Sequence, residues 1–296
     1  QESRGLGDVY KRQVIGDPAY QDINHRFLSA IRAKKPLVAV HRGQNSGSIV
    51  ENTAKAVRAA VVSGADIVEI DVIESTDGDF FTFHNGYEGH YFGLDQDILT
   101  LSTGELERLQ YETFVSAEAE KCGVEKLATI LESSSDTIIN IDRSWNYWQR
   151  LLPFLDTFQC ADRVLLKAPV SIQWLEELAS HPVKYPFMPI VKTIEEVDLV
   201  LSLGGINTMA IEIVAENDGS ELASPDLAKS LHDVNLLVQL NALNLPNRVP
   251  LFLGWDDEVS VLDEPEKGWG LLVDHGADII QTDWPMLLNR FLSSRK

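Results

Sequence analysis

Cysteine, methionine, basic side chains and long apolar runs are all scarce in this chain of 296 residues. Its two cysteines, Cys122 and Cys160, are too few for a disulfide framework. Neither lies in a Cys-x-x-Cys or Cys/His metal spacing, so both read as buried thiols and leave the redox compartment open. No apolar stretch approaches the roughly 18–20 residues that cross a bilayer, so a soluble chain without a transmembrane segment is expected. With 25 Lys and Arg against 45 Asp and Glu, the net charge of −20 leaves nothing to recruit a phosphate backbone, and nucleic acid is not an expected partner. Residues 1–13 have neither the apolar core of a signal peptide nor a clear periodicity. Because the sequence opens on Gln1, an export signal removed earlier is compatible with it, and a cytoplasmic or exported location stays open. Residues 1–20 read as an N-terminal tail that need not belong to the fold, and residues 21–296 as a single domain. Oligomeric state is not legible.

Past residue 20, short apolar runs alternate with amphipathic stretches, the pattern of repeated βα units. Strands are predicted at Leu37–His41, Ile67–Val72, Thr137–Asp142, Val164–Ala168, Phe187–Val191, Met209–Val214, Leu236–Leu240 and Asp278–Asp283. Helices are predicted at Val50–Val62, Ser171–Ala179, Thr193–Leu203, Asp226–His232 and Pro285–Phe291, and Ser102 with Glu105 reads as a capping box opening Thr103–Leu109. Eight parallel strands with outer helices make an α/β TIM (β/α)8 barrel, which suits a domain of about 250 residues. A ninth apolar run, Phe80–His84, follows strand two after only a tight turn. Parallel neighbours need a crossover of a dozen or more residues, so this run folds back antiparallel as a β-hairpin insertion. Taking Asp77 and Gly78 as the centre of a two-residue turn sets His84 opposite Asp71.

Period two puts Glu69 and Asp71 on one face of strand two, where paired oxygen donors suit a hard divalent ion. Polar residues also gather at the other predicted strand ends: His41 and Arg42, Asp142, Lys167, Glu212, Asn241 and Asp283. A TIM barrel carries its chemistry at those ends.

In order, the chain carries HRG at His41–Gly43, ENT at Glu51–Thr53, EIDV with its TDG turn from Glu69, FHN at Phe83–Asn85, and a closing GADIIQTDWPMLL at Gly276–Leu288. This ordered set resembles the glycerophosphodiester phosphodiesterases, a family within the phospholipase-C-like superfamily of TIM-barrel phosphodiesterases. The resemblance implies metal-dependent hydrolysis of glycerophosphodiesters to glycerol 3-phosphate and an alcohol. It makes His41 and His84 the catalytic pair, Glu69 and Asp71 metal ligands, and Arg42 a phosphate contact. Where the family commonly has E-x-K, this chain reads Asn140 to Ser144, and Asp142 is expected to complete an Mg²⁺ or Ca²⁺ site. Lys167 is expected to supply the missing positive charge to the phosphate. The family's His-Asp pair is His84-Asn85 here, and its Pro before Glu-Asn-Thr is Val50.

The mechanism expected from these charges has His41 as base and His84 as acid, with Glu51 in the first turn of the following helix orienting Arg42 or His41. Residues 85–101 and 241–267 are expected to shape the substrate pocket, with Trp255 as a substrate contact; His90, Trp145 and Trp148 read as loop, core or rim. The partner is a small-molecule phosphodiester. Alternatives are a lysophospholipase D-like or sphingomyelinase D-like reaction on lipids, a phosphoinositide phospholipase C-like reaction giving a cyclic phosphate, and a non-catalytic phosphate-binding barrel.

Overall fold

The computed structural model describes residues 14–111 and 122–295. Ten strands occur among them: β1 (Leu37–Val40), β2 (Ile67–Glu74), β3 (Phe80–Thr82), β4 (Glu125–Lys126), β5 (Ile138–Asp142), β6 (Val164–Pro169), β7 (Phe187–Val191), β8 (Ala210–Ile213), β9 (Leu237–Asn241) and β10 (Ile279–Thr282). Eight of them run parallel in the order β1, β2, β5, β6, β7, β8, β9, β10, and β10 pairs back onto β1, closing the barrel. The TIM barrel read from the alternation of runs is therefore the fold observed. All eight predicted parallel strands are present, with boundaries moved by at most two residues.

Period two explains the cross-section. Outward-facing Val38, Val68, Ile139, Leu166 and Val238 pack under the helices in one apolar cluster. Inward-facing Leu37, Ile67, Ile138, Leu165, Leu237 and Ile279 form a second cluster that fills the barrel floor. The helix Gln21–Ala33 closes this floor with Phe27, Leu28 and Ile31. Ile15 belongs to the same cluster and is fully buried, and Asn24 donates to its carbonyl at 3.1 Å. The described residues 14–20 are thus part of the folded chain, a correction to a tail ending at residue 20. Residues 1–13 lie outside the described residues.

The hairpin insertion is present, with a different register. Gly78 N–H donates to Ser75 O at 3.0 Å and Ser75 N–H to Asp79 O at 2.9 Å, so the loop holds three residues, Thr76 to Gly78. Gly78 takes φ +91°, which suits the left-handed position that ends such a loop. The ladder accordingly pairs Val72 with Thr82 and Ile73 with Phe81, one residue away from the expected alignment. Ile73, Phe81, Phe83, Ile98 and Leu101 build a small core of their own around the insertion. Cys160 is buried, as expected, and burial pushes its thiol up to about 11; Cys122 is only half-buried.

Candidate active site

Continuing the inward period of two up the barrel changes its chemistry. Above the apolar floor come Glu69, Asn140, Lys167, Glu212, Gln239 and Gln281, all buried, and above these His41, Asp71, Asp142, Asn241 and Asp283. Part of this polar layer is hydrogen-bonded internally, while Glu69 Oε1 and Gln239 Oε1 are buried without a partner. Gln239 Nε2 donates to Glu212 at 3.0 Å and to Gln281 at 2.9 Å, and Asn241 Nδ2 donates to Glu212 at 2.8 Å.

The chain leaving β1 turns sharply, with Arg42 at φ +54° and Gly43 at φ +72°. A Cβ at Gly43 would stand 2.8 Å from the Ala56 backbone, so only glycine lets the loop pass this close. The turn aims the Arg42 N–H at Glu69 Oε2, 2.8 Å away. The Arg42 side chain is buried: Nη1 bonds Glu51 at 2.9 Å, Nε lies 3.2 Å from Asp71 Oδ2, and the guanidinium sits 4.9 Å over the Tyr87 ring. Glu51 thus pairs with Arg42, but not from a helix. The helix begins only at Ala54, capped by Thr53, and Glu51 and Asn52 lie in the loop before it. Asn52, at φ +57°, clamps Asp71 from two sides: its Oδ1 accepts from Asp71 N–H at 2.8 Å and its Nδ2 donates to Asp71 Oδ2 at 3.0 Å. The middle residue of ENT therefore has a role that sequence reasoning did not assign.

Glu69, Asp71 and Asp142 present one oxygen each within 4.8 Å of one another. Burial first, and the Asp71 charge second, push the Glu69 carboxyl up to about 8, and its Oε1 is buried without a hydrogen-bond partner. An acidic cluster compressed in this way, with an orphaned oxygen, fits a divalent cation held by oxygen ligands. Lys167 is buried and bridges Asp142 at 2.7 Å and Glu212 at 3.3 Å. Burial opposes its charge, but those two carboxylates raise its pKa further, so it stays protonated.

The two histidines are pushed apart. His41 Nδ1 lies 3.1 Å from Asp283 Oδ1; burial works against its protonation, but the Asp283 hydrogen bond and the Glu69 charge outweigh it and raise its pKa. His84 packs edge-on against Tyr87 at 4.9 Å, and burial, with Arg42, Arg143 and His41 nearby, takes it down to about 4 against the pull of Asp71. His84 is thus neutral at pH 7 while His41 favours its proton. His84 arrives here by a route other than strand pairing. Phe83 N–H donates to Asp71 O at 3.1 Å, the ladder ends there, and the chain turns at Asn85 and Gly86, just past His84. The one-residue slip therefore does not turn it away.

A cavity of about 450 Å³ opens at the C-terminal ends of the strands. Its wall includes His41, Arg42, Asp71, His84, Asp142 and Lys167. Trp255 is not among the lining residues: its ring packs on Phe252 and His275, 5.7 and 5.4 Å away, which corrects its assignment as a substrate contact. The insertion after β9 contributes Leu243, Leu245, Val249 and Leu251 instead. Arg143, at φ +56°, lines the cavity beside Asp142 and donates from Nε and Nη2 to Asn85 Oδ1 at 3.1 and 2.8 Å. Asn85 therefore restrains Arg143, and a cation stands close to where the sequence showed a missing lysine. Asp257, in the same insertion, was also missed. Buried, it accepts from Trp269 Nε1 and Thr282 Oγ1 at 2.7 Å each and from Asp283 N–H at 2.8 Å. No local sequence signal distinguishes it from the other acidic residues of that loop.

No sequence among the curated proteins matches the chain. A family profile described as a domain of unknown function matches residues 187–292. Several solved structures superpose on nearly all of the barrel. A glycerophosphoryl diester phosphodiesterase from Parabacteroides distasonis gives a TM-score of 0.71 at 17% identity, covering 88% of this chain and 87% of that one. A glycerophosphodiester phosphodiesterase from Thermotoga maritima gives 0.62 at 20% identity, covering 87% and 99%. A phosphodiesterase from Oleispira antarctica, solved with its product sn-glycerol-3-phosphate, gives 0.63 at 18% identity, covering 89% and 99%. The chain therefore has the closed eight-stranded TIM barrel, with helices outside it, that these phosphodiesterases share.

Proposed function

We propose that this protein hydrolyses glycerophosphodiesters, releasing glycerol 3-phosphate and an alcohol with the help of a divalent cation. The observation that carries the reading is the convergence, in one cavity, of two oppositely tuned histidines with Asp71 and Asp142, which form a compressed carboxylate cluster with buried Glu69. The likeness of the fold to phosphodiesterases, one of them bearing glycerol 3-phosphate, supports the same reaction. Glu69, Asp71 and Asp142 would hold Mg²⁺ or Ca²⁺, and such an ion supplies positive charge to the oxygens of the substrate phosphate.

The remaining work falls to this chain's own side chains. Neutral His84 takes the proton from water as the water oxygen bonds to phosphorus. His41, its Nδ1–H held against Asp283, delivers the Nε2 proton to the alkoxide as the phosphorus–oxygen ester bond breaks. Arg143 stands at the cavity wall restrained by Asn85, and Arg42 is braced by Glu51 and Asp71, so the phosphate meets fixed cations rather than mobile ones. Lys167 is occupied by two carboxylates; its part is to hold Asp142 and Glu212 in place.

The test is release of glycerol 3-phosphate from glycerophosphocholine, glycerophosphoethanolamine and n-alkyl esters of glycerol 3-phosphate, with Mg²⁺, Ca²⁺ or EDTA, by wild type and His84→Ala. Cation-dependent turnover that drops about 10²–10⁴-fold in the variant is the expected result. Absence of turnover with either cation would reject the reading. Phosphorus NMR of the product identifies a cyclic phosphate if a neighbouring substrate hydroxyl, rather than water, attacks.

A further inference from the structure

The wall of the cavity is divided. The groups that handle phosphate come from the ends of β1, β2, the hairpin and β5. The opposite side, from the ends of β7 and β8 and from the insertion after β9, presents Ile190, Val214, Leu243, Leu245, Val249 and Leu251. Three polar residues accompany them, Lys192, Glu216 and Asn247; all three are exposed, so water rather than a buried ligand meets them. The volume, about 450 Å³, is in the ordinary range of about 300–1,000 Å³ for a small-molecule site, and the apolar side is continuous with the reacting centre.

From this division we infer that the ester group facing the β7–β9 side is apolar, of the alkyl or acyl-chain type, and that Leu243, Leu245 and Val249 select for it. The physical basis is simple. A hydroxyl-rich or cationic leaving group would have to give up water against six aliphatic side chains that return no hydrogen bond, whereas a hydrocarbon chain gains free energy with each methylene it hides. Specificity then arises from the loop after β9 and chemistry from the other half of the barrel mouth. The inference rests on the phosphodiesterase reading for the placement of the phosphate.

Binding of n-alkyl phosphates from ethyl to octyl, measured by calorimetry in the presence of Mg²⁺, tests it without requiring turnover. Affinity should tighten by about fourfold per added methylene while the chain is being buried. In the double variant Leu245→Asn/Val249→Asn, whose folding is checked by thermal melting, the series should flatten while ethyl phosphate binds as before. A flat series in the wild type, with ethyl phosphate bound, would overturn the apolar subsite and leave the phosphodiesterase reading standing. Failure to bind any of the phosphates would overturn both.

Discussion

His41 Nδ1 lies 3.1 Å from Asp283 Oδ1 across the seam where the first and last strands of the barrel meet. Because this contact raises the pKa of His41, the folded state binds the imidazole proton more tightly than the unfolded chain does. The pair therefore stabilises the fold below the unfolded value of about 6.5. That contribution is lost as pH rises through the folded value. Asp283→Asn should lower the His41 pKa, visible in imidazole NMR titration. It should also move the alkaline limb of kcat/KM to lower pH while leaving the acidic limb, governed by His84 near 4, in place.

Asp257 holds that seam from beneath. Three donors converge on its two oxygens, so an amide in its place must turn an NH₂ toward at least one of them. Asp257→Asn is expected to cost about 1–3 kcal/mol in urea or thermal unfolding. It should also slow turnover, through a displaced Asp283, without a matching rise in KM.

Glu69 is held at about 8 by burial and by Asp71, so below that pH the cluster carries a proton when no cation is bound. A cation must expel it, and cation affinity should strengthen as pH rises from 6 and level off above about 8. Above about pH 8 in EDTA, Glu69→Gln should melt at higher temperature than wild type, because a buried like-charge contact is gone, and it should lose the rise in melting temperature that Mg²⁺ or Ca²⁺ gives the wild type.

Lys167 stands between Asp142 and Glu212 with its charge buried. Lys167→Met would leave two carboxylates without their cation and should cost about 3–5 kcal/mol. Adding Glu212→Gln to that variant should recover part of the loss. The sum of the two single effects would then exceed the effect of the double, a coupling that a double-mutant cycle measures directly.

The amino-acid sequence by itself determined the repeat of short apolar strands and amphipathic helices, and with it the barrel. Hydrophobic periodicity is a local property that every segment carries. It also determined which strand ends are polar, since period two carries Ile67, Glu69 and Asp71 up one face whatever the rest of the chain does. Only the tertiary structure decided the partners. Asp257 reaches Asp283 from 26 residues away, and Lys167 finds Glu212 two strands along the barrel, contacts that no spacing encodes. It also decided that a three-residue loop, rather than the tight turn its Asp-Gly pair suggests, closes the hairpin, and that His84 enters the site beyond the ladder's end. Loop packing against a small core of its own sets that geometry, and packing depends on side chains distant in sequence. The tuning of the histidines has the same origin. Burial and neighbouring charge move a pKa, and both exist only once the barrel has closed.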